Sequence, residues 1–154
     1  MRRAERPGGA RDRGQIGILV LGLFALAGLL VLGGIDVTAA QLARIRLLDA
    51  ADAAALEAAS ALDERAAYEG GVLDRLALTD ASVAAAAGAH LSSTPLPPGI
   101  VAWSVVPDTG TPDGTTAVVT VQGTARLPMS GWVLDSLGGS VTITVTSRAR
   151  APLR

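Results

Sequence analysis

Hydrophobic and polar positions divide the chain into zones with different periods. Residues 16–35 form an unbroken apolar run, and residues 36–69 mix alanine with charged residues at helical spacing. Residues 70–99, a short helix and a turn-rich linker, precede residues 100–154, where β-branched residues recur at every second position. The pattern predicts an α+β chain in which one long helix is followed by a small antiparallel sheet.

The apolar run has the length of a membrane span, because about 20 helical residues cross a hydrocarbon core about 30 Å thick. Five arginines lie within residues 1–15, so the positive-inside bias predicts a cytoplasmic basic tail and places residues 36–154 outside the membrane. A cleaved secretory signal is the alternative, since Val37-Thr38-Ala39 offers small residues at suitable positions. The predicted span side chains include Ile16, Leu19, Leu21, Phe24, Leu30 and Ile35.

The segment after the span is rich in alanine, which accounts for ten of the 18 residues from Ala50 to Ala67. No proline occurs between Ile16 and Glu69, and Gly70-Gly71 follows as a C-cap signal, so residues 36–69 are predicted to extend the span as a stalk helix. Steps of three and four residues mark a seam whose small side chains allow a close approach by a partner. The predicted seam consists of Ile45, Leu48, Asp52, Ala55, Ala59 and Leu62.

The remaining segments predict a short helix and three strands. The helix begins at Thr79 or Asp80, both good N-caps, and runs through Ala89. Alternation predicts strands at 101–105, 117–121 and 141–145, with Val101, Trp103 and Val105 on one face of the first. The Ala-rich helix is the predicted cover for this sheet. Between the last two strands, Met129, Trp132, Val133 and Leu137 share a helical face, which either covers the sheet or contacts lipid.

Residue types that carry chemistry are few. Asp108-Thr109-Gly110 has the letters of an aspartic-protease triplet but lies in a turn-rich segment without a second copy. His90 is the sole histidine, cysteine is absent, and Asp49, Asp52 and Glu57 do not have the spacing of a calcium loop. We therefore expect no enzyme activity, no cofactor and no metal. The acidic residues 36–154 give no basic face, so nucleic acid is not an expected partner either.

The order of these parts resembles the N-terminal region of the TadE/TadG-like proteins of tight-adherence (Flp) pilus assembly. The resemblance rests on Arg13-Gly14, the apolar run, Asp36-Val37 and the Ala-Ala-Asp-Ala-Ala-Ala-Leu series at residues 50–56. It implies a pilin-like layout and a membrane-anchored structural or assembly component of a Flp/Tad-type pilus or related secretion system. Its expected partners are the bacterial cytoplasmic membrane, pilin or other assembly proteins, and further copies of the chain.

One difference from processed pilins affects this expectation. Pilins cleaved by prepilin peptidase have a glycine at the cleavage point and a glutamate five residues later. Leu19 stands five residues after Gly14, and Gly22 stands five after Gly17. The sequence therefore favours an assembly component or minor pilus-like protein over a major pilin. The alternative remains an exported binding module of the cell envelope, released by signal cleavage.

Overall fold

The computed structural model of the chain describes residues 9–68, 78–137 and 140–150. The long N-terminal helix and the small antiparallel sheet confirm the predicted α+β layout. In chain order the elements are α1 (Gly9–Tyr68), α2 (Asp80–Ser93), β1 (Ile100–Val105), β2 (Thr116–Ala125), α3 (Gly131–Ser136) and β3 (Val141–Arg150).

Helix α1 is continuous over 60 residues, which at 1.5 Å per residue gives a length of about 90 Å. No proline occurs within it, and the helix passes through Gly33-Gly34 without a break. The Thr38 hydroxyl donates a hydrogen bond of 2.8 Å to the carbonyl of Gly34, within the same helix. The predicted stop at Gly70-Gly71 lies outside the described residues.

Helix α2 begins at the predicted cap. The Ser82 N–H donates to Thr79 Oγ1 at 3.1 Å, and the Thr79 N–H donates to Ser82 Oγ at 3.0 Å. This reciprocal pair satisfies N–H groups that a helix start leaves free. The helix ends at Ser93, a full turn beyond the predicted Ala89, because Leu91 is buried and proline at position 95 favours the extended conformation of Thr94.

The three strands form one sheet in which β2 is central and pairs antiparallel with both neighbours. The β2–β3 ladder runs without interruption from Thr116 opposite Arg150 to Ala125 opposite Val141. The β1–β2 ladder shifts register between Ile100 and Ala102. This bulge corrects one prediction: Val101 is exposed rather than sharing the partly buried face of Trp103, because an extra residue interrupts the period of two.

The β1–β2 connection is held by local hydrogen bonds. Gly110 bridges Val118, and Gly114 adopts a positive φ of 70°, which glycine reaches without strain. The Asp113 carboxylate accepts the N–H groups of Thr115 and Thr116 at 2.9 and 2.6 Å. Hydrogen bonds from the Thr115 backbone and then from the Thr116 side chain lower the pKa of Asp113 to about 2. The carboxylate thus stays charged, and keeps its hydrogen bonds in the loop, at pH values well below the usual pKa of an aspartate.

One face of the sheet packs on α1 and α2, so the Ala-rich helix covers the sheet as predicted. Leu47 is fully buried at this contact, and a Cβ added to Gly123 would lie only 3.0 Å from Leu47 Cδ1. Glycine at position 123 therefore makes room for the one large side chain that α1 buries there. The buried core comprises Leu47, Ala51, Ala54, Ala55, Ala58, Ala59, Leu78, Val83, Ala87, Leu91, Ala117, Val119, Val121 and Val145.

Candidate membrane anchor and assembly surface

The apolar part of α1, residues 16–35, is not buried by the rest of the described chain. The apolar side chains from Ile16 to Ile35 are exposed, and α1 is the one helix among residues 9–68, 78–137 and 140–150 that is long and apolar enough to cross a membrane. An apolar helix without a protein cover needs another apolar environment. The predicted span residues Ile16, Leu19, Leu21, Phe24, Leu30 and Ile35 all lie on this uncovered segment.

Asp36, the first residue after the apolar run, connects α1 to the distant β2–β3 connection. Its two carboxylate oxygens accept the backbone N–H groups of Met129 and Ser130, each at 2.8 Å, and the residue is only 8% exposed. Hydrogen bonds from the Ser130 side chain and from both backbone N–H groups lower the pKa of Asp36, against the opposing effect of desolvation. A charged carboxylate therefore holds this connection beside the end of the span.

The stalk buries one stripe inside the chain. The stripe begins about two turns after Asp36 with positions of small volume, and its members recur every three or four residues, as one side of a helix requires. Only one of them is large, so the backbone of α1 lies close to the sheet. The stripe is formed by Ala43, Leu47, Ala51, Ala54 and Ala58.

The six residues of the predicted partner seam fall into different environments. Ala55 and Ala59 are buried in the core of the chain itself, whereas Ile45 and Leu48 are exposed. Asp52 is exposed and accepts a hydrogen bond from the Ser147 hydroxyl of β3. The side chain of Leu62 lies outside the described residues. The exposed and buried members thus do not share one surface.

Exposed apolar side chains continue along the outer side of the stalk. We call them the outer strip: Val37, Leu42, Ile45, Leu48 and Leu56. From Val37 to Leu56 the strip covers 19 helical steps, or about 28 Å of α1. It starts directly after the apolar run, and its side chains remain exposed beside the sheet. This surface has the size and apolar character of a helix-packing face.

Thr109 and His90, two residues considered above as candidates for chemistry, make hydrogen bonds that stabilise the fold. Thr109 is buried, and its hydroxyl donates to the Thr120 carbonyl at 3.2 Å and accepts the Thr120 N–H at 3.0 Å. The carbonyl of His90 accepts the Thr94 N–H at the end of α2. Within the described parts of the chain, no three histidine, cysteine, aspartate or glutamate residues are grouped to hold a metal ion.

The contact of Asp36 with Met129 and Ser130 could not be predicted from the sequence. Asp36 belongs to the Asp36-Val37 pair that carries part of the family resemblance, but its bonds to Met129 and Ser130 join positions more than 90 residues apart. No periodicity links such positions. A single short acid at the end of an apolar run, where a charge is costly unless paired, is the only local hint.

The geometry defines a class of protein: one uncovered apolar helix that continues as a stalk and carries a small antiparallel sheet on its far part. Residues 14–61 match the family described as "Putative Flp pilus-assembly TadE/G-like", which confirms the resemblance over the span and most of the stalk. The matched segment ends before α2 and the sheet. No curated protein and no solved structure matches the chain.

Proposed function

We propose that the protein is a membrane-anchored structural component of a Flp/Tad-type pilus assembly or a related secretion system, and that it acts by packing against other proteins. The observation that carries the proposal is the coincidence of the family match at residues 14–61 with the uncovered helix and the stalk. The family indicates involvement in pilus assembly, and it is a structural rather than an enzymatic family. The packing mechanism is our own inference.

The topology is part of this proposal. Residues 1–15 form a cytoplasmic basic tail, residues 16–35 cross the bacterial cytoplasmic membrane once, and residues 36–69 project as the stalk. Residues 70–99 supply a short helix and linker, and residues 100–154 form the sheet domain outside the membrane. The five N-terminal arginines support this orientation through the positive-inside bias.

The outer strip is the surface that we assign to partner packing. Of the predicted seam, Ile45 and Leu48 remain available on it, while Ala55 and Ala59 serve the core of the chain. A partner helix that lies along the strip would gain the burial of large side chains that face water in the isolated chain. Pilin, another assembly protein or a second copy of the chain would each provide such a helix.

The alternative is an exported envelope module released after Val37-Thr38-Ala39. Two observations favour the retained anchor. Helix α1 is continuous through these residues, with a hydrogen bond from the Thr38 hydroxyl to the Gly34 carbonyl. Cleavage there would also remove Asp36 and, with it, the carboxylate that binds Met129 and Ser130.

The packing proposal predicts that Ile45→Asp combined with Leu48→Asp weakens capture of identified pilus-assembly proteins by about tenfold or more, since about 1.4 kcal/mol corresponds to a factor of ten. Two charges would then stand where apolar contact is needed. Capture is measured by cross-linking in intact membranes of a host that produces the assembly proteins, followed by quantitative mass spectrometry.

Ala53→Asp provides the matched control, because Ala53 is an exposed stalk residue outside the outer strip. All three chains must be present in membranes in equal amounts. Equal capture by the double variant and the parent chain would contradict the packing proposal. Cross-links that join two copies of this chain, and that the double variant loses, would identify self-association as the use of the strip.

A further inference from the structure

The connection between β2 and β3 descends along α1 towards the membrane. Strand β2 runs antiparallel to the stalk: Gly123 lies against Leu47, and Ala125 shares a cluster with Ala43 further down the helix. Met129 and Ser130 then reach Asp36. From Leu47 to Asp36 the helix descends 11 residues, or about 17 Å. The segment after Ser130 therefore lies at the level where the apolar run ends.

This segment exposes large apolar side chains. We call it the α3 loop, residues 127–137, which includes the short helix α3. Trp132 is 73% exposed and Leu137 is 78% exposed, and Met129 and Val133 are exposed beside them. The structure thus does not use these side chains to cover the sheet, which was one of the two sequence-based alternatives. Such a group of exposed apolar side chains marks a contact surface.

We infer that the α3 loop is a second membrane contact, which inserts Trp132 and Leu137 into the outer interface of the lipid bilayer beside the exit point of the span. The inference rests on the proposed membrane anchoring. Lipid is the occupant because Asp36, only one residue beyond the apolar run, fixes Met129 and Ser130 at this height. Tryptophan is also the side chain that concentrates at membrane interfaces, where its ring is buried and its N–H meets water.

Asp36 is then a positioning residue for this contact. A single span leaves the stalk free to rotate and tilt, whereas a second contact on one side of α1 restrains both motions. The loop lies on the side of α1 that carries the sheet, because β2 leads directly into it. The contact would therefore set the direction in which the outer strip faces along the membrane surface.

The test uses the two tryptophans of the full chain, purified and reconstituted in phosphatidylcholine vesicles. Trp103→Phe leaves Trp132 as the only tryptophan, and Trp132→Phe leaves Trp103, which pairs with Gly123 far above Asp36. Emission is compared in vesicles of ordinary lipid and of lipid brominated on its acyl chains. We expect Trp132 emission to be blue-shifted and to lose most of its intensity in brominated lipid, while Trp103 emission is retained.

Asp36→Ala in the Trp103→Phe background should restore much of the Trp132 emission, because the loop loses its attachment to α1. A third chain checks the anchor itself: Phe24→Trp, with both native tryptophans changed to Phe, reports from the middle of the apolar run. Quenching at position 24 without quenching of Trp132 would overturn the loop inference alone. Loss of quenching at both positions would overturn the membrane anchoring as well.

A second measurement avoids changes to tryptophan. The chain has no cysteine, so Leu137→Cys accepts a single spin label, and Asp108→Cys on the β1–β2 connection serves as the control. The label at position 137 should be relaxed more by oxygen, which concentrates in lipid, than by a water-soluble nickel chelate. The label at position 108 should show the reverse. The same response at both positions would show that water surrounds the loop, and a blue-shifted Trp132 that brominated lipid leaves unquenched would show that protein covers it. Either result would refute the inference.

Discussion

Leu47→Ala is expected to lower the free energy of unfolding by about 2–5 kcal/mol, the range for removal of a large aliphatic side chain from a packed core. Leu47 is fully buried and is the one large side chain on the buried stripe of α1. The space beside Gly123 is shaped around it, so the change leaves a cavity between helix and sheet. Alanine neighbours on the same stripe are too small to fill that cavity.

The adjacent residue supplies the control for this prediction. Leu48 is 39% exposed on the outer strip, so Leu48→Ala removes the same atoms with little loss of internal packing. Both variants are compared with the parent chain by urea-dependent pulse proteolysis in nonionic detergent micelles. Equal urea concentrations at the unfolding midpoint of the two variants would mean that the sheet does not pack against the Leu47 side of the stalk.

Phe24→Arg combined with Leu26→Arg is expected to abolish membrane integration. Each arginine near the centre of a spanning helix costs about 2.5–3.5 kcal/mol on insertion scales, so the pair costs about 5–7 kcal/mol. Both positions are exposed in the bare part of α1, so no protein contact offsets the charges. The double variant should be missing from membranes after extraction with alkaline carbonate, while the parent chain remains.

The control for the span is the same type of substitution on the stalk. Leu56→Arg places the charge on an exposed side chain of α1 beyond Asp36, and it should leave carbonate resistance unchanged. Retention of the double span variant in washed membranes would contradict the assignment of residues 16–35 as the anchor. It would point to attachment through another part of the chain.

The elements themselves could be predicted from local patterns. The period of two and the β-branched residues indicate the three strands, and the short turn-rich segment between the first two indicates an antiparallel pair. Thr79 capped α2 as expected, because a threonine oxygen can accept an N–H group that the helix start leaves free. The bulge near Ile100 escaped prediction because alternation in the sequence does not show an inserted residue.

The hydrophobic pattern did not predict which face of the stalk meets the sheet. Alanine occurs all round the helix at positions 50, 51, 53, 54 and 55, so the hydrophobic pattern carries little information about rotation. Tertiary packing decides the phase: Ala51 and Ala54 are buried, whereas Ala53 is exposed. The contact of Asp36 with the α3 loop escaped prediction for a different reason, since it depends on the path of β2 and not on local sequence.

The fold suggests why a stalk of this kind is built from alanine. Small side chains let α1 approach the sheet closely along one stripe, and single large residues such as Leu47 fix the register where the sheet has a glycine. Other positions of the same helix carry the exposed large apolar residues of the outer strip, the surface proposed for contact with a partner. Under the proposed function, one helix thereby provides the surfaces for anchoring, for support of the sheet and for assembly.

The most direct test of the account is the intact mass and N-terminal sequence of the protein isolated from fractionated cells of a host that assembles Flp-type pili. We predict a chain that retains residues 16–35 and is recovered in the cytoplasmic membrane fraction. A soluble product that begins near Ala40 would contradict the anchor, because residues 16–35 would then be an export signal and the envelope-module alternative would hold. A product that begins at Gln15 and is found in sheared fibres would instead identify a processed pilin.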